Sequence, residues 1–564
     1  MAGKSLRAAM ILAAFFLAAG CQPAPVGPLP TEDQLRWQDM DMYAFIHYSL
    51  NTYTGQEWGY GNEDPALFNP ENLDCRQWVR VCRQAGMKGI IFTAKHHGGF
   101  CMWPSAYTDY SVKNAPWKGG KGDVVRELSE ACREEGLRFA VYLSPWDRHH
   151  PEYGRPAYVD YFRNQLRELL TGYGDIFEVW FDGANGGDGW YGGASETRRI
   201  DAKTYYGWAD TFRMVRELQP HAVIWNDGGD RGDLRWVGTE AGNVGETNWS
   251  LMPSEGETTY AMLHYGVEDG DVWCPGETNT SIRPGWFYHA AEDAQVKSLP
   301  ELMDIYYKSV GRNSTLLLNF PITPDGRIHP ADSLRGLAFK QAIDAVFQKN
   351  LADGARITHK GSSALITFRN PVSFNRFLAQ EDIALGQRVK KFTLEAWVDG
   401  AWVQLADELA EEGDGLTTIG HRRIVCFPTV TASKLRITVT DAKAKPILKK
   451  LGVYLAPDPD AFCKDTKKWY FCKLQRELPW PVYSTSVSSG TRNTGCSTIS
   501  PGTTTRKKRS AARCSETWTA PTRPPARKGN MCPGAASGAP SATAITRKRG
   551  LPWGRPTPSS PSSP

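Results

Sequence analysis

Between residues 35 and 345 apolar runs alternate with amphipathic stretches, a pattern that predicts strand and helix in repetition. Apolar runs at 42–50, 89–93, 137–143, 222–225 and 314–320 predict strands, and 175–184 contains another, ending on Asp182 and Gly183. Helical periodicity at 75–86, 123–136, 158–173, 204–219 and 299–311 predicts the helices between them. This alternation argues a parallel sheet. Polar and aromatic clusters follow the strands: Lys95-His96-His97-Gly98-Gly99-Phe100, Ser144-Pro145-Trp146-Asp147 and Asn226-Asp227-Gly228-Gly229. That is the rim arrangement of a (β/α)-barrel, whose catalytic side chains sit at the C-terminal ends of the strands. An open doubly wound sheet is the alternative, but no glycine-rich phosphate fingerprint follows the first strand.

After Asp353 the texture changes. Short runs at 364–368, 391–397, 423–427 and 434–439, with Asp399-Gly400 at a hairpin turn, predict an all-β sandwich. From about 458 apolar periodicity is lost, and a segment rich in Ser, Thr, Pro, Gly, Ala and Arg follows. Such a segment cannot offset its conformational entropy by burial. It reads as a disordered basic tail or as a slipped reading frame.

The first residues are a targeting segment. Lys4 and Arg7 precede an apolar run at 8–19, too short to cross a bilayer. The run closes with Leu17-Ala18-Ala19-Gly20-Cys21, which resembles a bacterial lipobox and implies cleavage before Cys21 and lipidation of its thiol. The expected organisation is a signal peptide at 1–20, a lipidated Cys and tether at 21–34, a barrel at 35–348, a β-sandwich at 349–457 and the tail at 458–564. The expected location is outside the cytoplasm of a bacterium, in the periplasm or at the cell surface, with the membrane touched only through the anchor.

Charge and cysteine usage narrow the function. Residues 461–564 hold 18 Lys/Arg against 3 Asp/Glu, which leaves 48 against 58 in the first 460. An acidic body gives no basis for nucleic-acid binding. Apart from Cys21 and the tail, Cys75, Cys82, Cys101, Cys132, Cys274 and Cys426 contain no CxxC pair, so a thiolate zinc site is not expected. Cys75 and Cys82, seven apart in a predicted helix, are expected on one buried face. His47, His96, His97, His149 and His150 lack a His-Glu-x-x-His motif, and hydrogen bonding to a hydroxyl-rich ligand suits them better than a metal. No cofactor is expected.

The chemistry needs carboxylates. A retaining glycosidase uses one carboxylate to attack the anomeric carbon and a second acid to protonate the leaving oxygen. If the chain is such an enzyme, Asp182 at the rim needs a partner. Glu240 and Glu246 lie in a loop-like stretch, Asp227, Asp230 and Glu277 are also possible, and spacing does not choose among them. A Trp beyond the turn Pro284-Gly285 is placed to wall a pocket.

Six motifs in order carry a resemblance. They are Phe45-Ile46-His47, Glu57-Trp58-Gly59, Lys95-His96-His97-Gly98-Gly99-Phe100, Val179-Trp180-Phe181-Asp182-Gly183-Ala184, Trp236-Val237-Gly238-Thr239-Glu240 and Arg283-Pro284-Gly285-Trp286-Phe287-Tyr288-His289. Together they resemble glycoside hydrolase family 29, the α-L-fucosidases, and more closely the subfamily that cuts α-1,3/4 linkages in Lewis-type glycans. The resemblance covers about 36–456. It implies a retaining exo-α-L-fucosidase acting on fucosylated oligosaccharides or glycoprotein glycans, with Asp182 as nucleophile and Glu240 as acid/base. It further implies sugar contacts by His47, Glu57, His96, His97, Tyr142, Trp180 and Trp286. Leu143 stands where many relatives carry a second Tyr, and Thr239 replaces a common Asn. The rivals are another retaining exo-glycosidase and a glycan-binding surface lipoprotein without turnover.

Overall fold

The computed structural model describes residues 23–457, apart from Asp227, Glu412 and Asp414. The expected signal peptide, Cys21 and the expected tail from 458 lie outside the described residues. Eight parallel strands form one sheet: β1 (Met42–Ile46), β2 (Gly89–Lys95), β3 (Arg138–Leu143), β4 (Ile176–Phe181), β5 (Val223–Asn226), β6 (Arg235–Trp236), β7 (Gly276–Ser281) and β8 (Thr315–Asn319). Their spatial order is β5-β4-β3-β2-β1-β8-β7-β6. The two ends meet where the Asp233 and Leu234 N–H groups donate to the Ile224 carbonyl at 2.8 and 3.3 Å, which closes the barrel.

Helices Cys75–Gln84, Val124–Glu135, Pro156–Gly172, Trp208–Leu218, Tyr260–Tyr265, Leu299–Lys308 and Pro330–Phe347 follow every strand except β5. The described residues between β5 and β6, 228–234, contain none. A further helix, Glu32–Gln38, precedes β1. Side chains alternate along the strands as pleating requires. On β1, Ala44 and Ile46 join the layer beneath the helices, while Tyr43 and Phe45 join Trp180, Trp225 and Leu317 inside the barrel. Cys75 and Cys82 share a buried helix face with Trp78 and Val79. All six cysteines among the described residues are buried free thiols.

Strands β6 and β7 have no counterpart in the apolar pattern. The sequence of β7, Gly-Glu-Thr-Asn-Thr-Ser, is polar yet wholly buried. Glu277, Thr278 and Ser281 find hydrogen-bond partners on other segments, so hydropathy carries no trace of the strand.

The second module is one antiparallel sheet of seven strands that folds over its own core. The runs at 423–427 and 434–439, expected as separate strands, are parts of one strand, Arg423–Ala442, and 364–368 belongs to Ser363–Glu381. The register between these two long strands breaks between Thr367 and Val372 and again between Phe374 and Arg376. Such irregularities bend strands, and Phe374, Phe377, Phe392 and Phe427 fill the enclosed space.

This module docks on the N-terminal face of the barrel, opposite the rim. Asn313, just before β8, donates its N–H to the Arg422 carbonyl at 2.8 Å and accepts from the His421 N–H at 2.7 Å. Arg422 pairs with Asp41, just before β1, at 2.7 Å. Buried Arg423 pairs with Asp407 at 3.1 Å and donates to the Glu246 carbonyl at 2.9 Å.

Candidate active site

A cavity of about 410 Å³ opens at the C-terminal ends of the strands. Phe45 and His47 reach it from β1, Glu57 and Trp58 from the following loop, and His96 and His97 from the end of β2. Trp180 and Asp182 come from β4, Trp225 and Asn226 from β5, Glu240 from beyond β6, Asn279 from β7 and Trp286 from the loop after it. Of the expected site residues, Tyr142 alone is not on the wall. Its hydroxyl donates instead to Asp182 Oδ2 at 3.1 Å, and its ring stacks on Trp180 and His96. It touches the acid rather than the cavity.

Asp182 sits where β4 ends. Gly183 turns the chain at φ 78°, and a Cβ there would lie 2.4 Å from the His97 ring. Only glycine satisfies both the turn and the close approach.

The histidines are neutral hydrogen-bonding groups. Burial lowers His47 and His97 to about 3 and pushes His96 well below the usual range. Asn319 donates through its amide nitrogen to Ser281 and to the Trp286 carbonyl, so its oxygen accepts from His47 Nδ1 at 2.9 Å. That leaves His47 Nε2 as an acceptor. The Ser144 hydroxyl donates to the Trp146 carbonyl and so accepts from His97 Nδ1 at 2.8 Å. His97 Nε2, again an acceptor, lies 3.8 Å from Asp182 Oδ2.

Trp286 is fixed at three points. Its N–H donates to Glu57 at 2.9 Å, its carbonyl accepts from Asn319 at 2.9 Å, and its indole donates to Glu240 at 3.2 Å. Glu57 also accepts from His289 at 2.8 Å, so this carboxylate clamps the 286–289 loop besides facing the cavity.

The structure separates the remaining candidates. Glu246 is 2% exposed. It lies at the junction with the β-module, near Arg312 and Arg423, on the opposite face of the barrel. Glu277 is buried inside the barrel below the cavity, and Asp230 lines it. Asp227 lies outside the described residues. His149 stacks between Tyr110 and Trp190 and His150 packs on Tyr161, neither on the cavity wall. Among the described residues no group of three or more His, Cys, Asp or Glu is arranged to hold a metal ion.

Several wall residues escape the sequence reading, Trp225, Arg231, Thr258 and Asn279, and Asn226 entered it only as part of a rim cluster. Trp225-Asn226 ends an apolar run just as Phe181-Asp182 does, which was a usable signal. Asn279 sits in the polar strand β7 and offers none. Four buried polar atoms on wall residues have no protein partner: His96 Nδ1, Trp225 Nε1, Arg231 Nε and Asn279 Oδ1. Buried polar groups left unpaired are costly, and these atoms are placed to meet polar groups of a ligand in the cavity.

Comparison with known proteins agrees. The alpha-L-fucosidase family model matches residues 29–338. A crystal structure of a glycoside hydrolase 29 family member from an unknown rumen bacterium is 73% identical, covers 79% of this chain and 81% of its own, and has a TM-score of 0.77. Alpha-L-fucosidase 1 of Arabidopsis thaliana is 38% identical over 472 residues, 77% of this chain and 88% of its own. A Ruminococcus gnavus GH29 fucosidase in complex with fucose is 28% identical, covers 78% of this chain and 98% of its own, and has a TM-score of 0.69. The chain belongs to glycoside hydrolase family 29, the α-L-fucosidases.

Proposed function

We propose that this α-L-fucosidase releases terminal α-1,3/4-linked fucose from Lewis-type glycans by double displacement with retention of configuration. Asp182 attacks the anomeric carbon and forms a fucosyl-enzyme while Glu240 protonates the leaving oxygen. Water then enters, with Glu240 as the base.

The observation that carries this reading is that Asp182 and Glu240 line one cavity from different strand ends, facing neutral histidines. His47 and His97 present acceptors for sugar hydroxyls, and His96, Trp225 and Asn279 supply buried polar atoms that hydroxyls would satisfy. Trp180 and Trp286 offer apolar faces to the C5 methyl, which suits a 6-deoxy sugar over galactose. The cavity continues past Glu240 to Asp230, Arg231 and Thr258, polar partners for the sugars that remain on a branched product. The lipobox at Cys21 supports anchoring outside the cytoplasm, in the periplasm or at the cell surface.

The test is fucose release from a Lewis trisaccharide and from an α-1,2-linked fucosyl-lactose, with the first anomer read by NMR. Retention gives α-fucose first. Equal rates on the two linkages would sink the linkage assignment, and β-fucose as first product would sink the mechanism.

A further inference from the structure

Beneath the cavity floor two carboxyl groups face each other inside the barrel. Glu178 on β4 and Glu277 on β7 are each 0% exposed. Among the described residues no ion pair reaches either of them. Trp180 Nε1 donates to Glu277 Oε1 at 2.9 Å, and the Tyr43 hydroxyl donates to Glu277 Oε2. Trp37 Nε1 donates to Glu178 Oε2 at 2.9 Å, while Glu178 Oε1 receives no donor and Glu178 hydrogen-bonds to Glu277.

Counting donors places the proton. Indole N–H groups only donate. Trp180 thus fixes Glu277 Oε1, and Trp37 fixes Glu178 Oε2, as acceptors, while the Tyr43 hydroxyl donates to Glu277 Oε2. Two carboxylates in contact without a cation repel strongly in a dry interior, so the pair keeps one proton. Glu178 Oε1 is the atom left to carry it. Burial and then the Glu277 charge push Glu178 well above the usual carboxyl range. Burial raises Glu277 too, opposed by hydrogen bonds from Glu178, Tyr43 and Trp180. The other polar groups around the pair are Thr315 on β8, 3.4 Å from the Tyr43 hydroxyl, and Asp233, itself paired with Arg216 at 2.6 Å.

We propose that Glu178 carries this proton at neutral pH and donates it to the Glu277 carboxylate, and that the resulting anion is the positioning residue for Trp180. Trp180 lies two residues before Asp182 on the same strand face and stacks on Trp225 with ring centroids 3.6 Å apart. A fixed Trp180 therefore fixes both the cavity floor and the approach of sugar to Asp182. The catalytic consequence rests on the fucose reading of the cavity; the proton assignment does not.

The two isosteric variants behave oppositely under this proposal. In Glu178→Gln the amide N–H donates to Glu277 and its carbonyl accepts from Trp37, so every hydrogen bond survives. kcat/KM on 4-nitrophenyl fucoside should then stay within about threefold of wild type. In Glu277→Gln the amide N–H meets Trp180 N–H or the Tyr43 hydroxyl. KM should rise about tenfold or more, with a changed near-UV circular dichroism spectrum and an unchanged far-UV spectrum. The infrared difference spectrum of wild type minus Glu178→Gln at pH 7 should contain the carbonyl band of a buried protonated carboxylic acid. That readout needs neither substrate nor a folded Glu277 variant. Absence of the band overturns the proton assignment, and so does a Glu178→Gln variant as damaged as Glu277→Gln. A folded Glu277→Gln with wild-type KM overturns the positioning role. A wild-type protein that leaves fucosides uncleaved overturns the fucose reading and leaves the infrared result standing.

Discussion

The indole N–H of Trp286 donates to Glu240 Oε2 at 3.2 Å. A residue quoted from one motif thus holds the acid quoted from another. Trp286→Phe keeps the aromatic wall and removes the hydrogen bond. We expect kcat/KM on a Lewis trisaccharide to fall about three- to tenfold, the worth of one hydrogen bond. The loss on an aryl fucoside should be smaller, because a good leaving group needs little protonation. Equal losses on both substrates would confine Trp286 to sugar packing.

The roles of Asp182 and Glu240 separate by stereochemistry. Asp182→Asn should lower turnover by at least about a thousandfold while the fold persists. Azide given to a variant lacking the Asp182 carboxylate attacks the α-fucoside directly and yields the β-azide. Under the proposed double displacement, azide given to Glu240→Ala should intercept the β-linked fucosyl-enzyme and yield the α-azide. The products are read by NMR, and the α-azide from a Glu246→Ala enzyme would transfer the acid/base role to Glu246.

Stability should fall in mild acid because of the site histidines. His47 and His97 stay neutral in the folded protein down to about pH 3, whereas histidine in an unfolded chain titrates near 6.5. Below pH 6.5 the unfolded state takes up protons that the folded state refuses, so this contribution is absent above 6.5 and destabilises progressively towards 3. By pH 5 the cost is about 2 kcal/mol for each of the two. Urea unfolding midpoints measured between pH 7 and pH 5 should decline accordingly. An NMR titration of either ring near 6.5 in the native protein would refute it.

The barrel and its chemistry were unequally legible in the sequence. Asp182 stood out because an apolar strand ended on a carboxylate and a glycine, and the same physics that turns the chain there also exposes the acid. Glu240 and Glu246 looked alike, since both sit in Gly- and Thr-rich text. What separates them is the docking of Arg312 and Arg423 around Glu246, a contact spanning 177 positions that no local pattern encodes. β7 stayed hidden for a different reason. Glu277, Thr278 and Ser281 bond to Tyr43, Trp180, Ser314 and Asn319 elsewhere in the chain, so burial of β7 depends on partners that the segment itself does not contain.

That same junction should govern folding. Arg423 is 1% exposed, its partner Asp407 is 9% exposed, and it holds the Glu246 backbone as well. Arg423→Ala leaves Asp407 buried without its cation and should cost about 3–5 kcal/mol. Calorimetry should show an earlier transition, while KM of the protein that remains folded is unchanged, since the rim lies on the other face. A variant of wild-type stability would mean the pair contributes nothing net.

The helix-free passage from β5 to β6 makes this enzyme easy to retarget. Asp233 and Leu234 close the sheet and are fixed, but Asp230 and Arg231 before them support no outer helix. Arg231 donates to a loop residue that also lines the cavity, Thr258, at 3.4 Å. Substitutions at 230, 231 and 258 therefore alter the wall that meets the departing glycan without disturbing a packed layer. Selection, natural or in the laboratory, can explore new branched substrates there by single steps, each nearly neutral for folding.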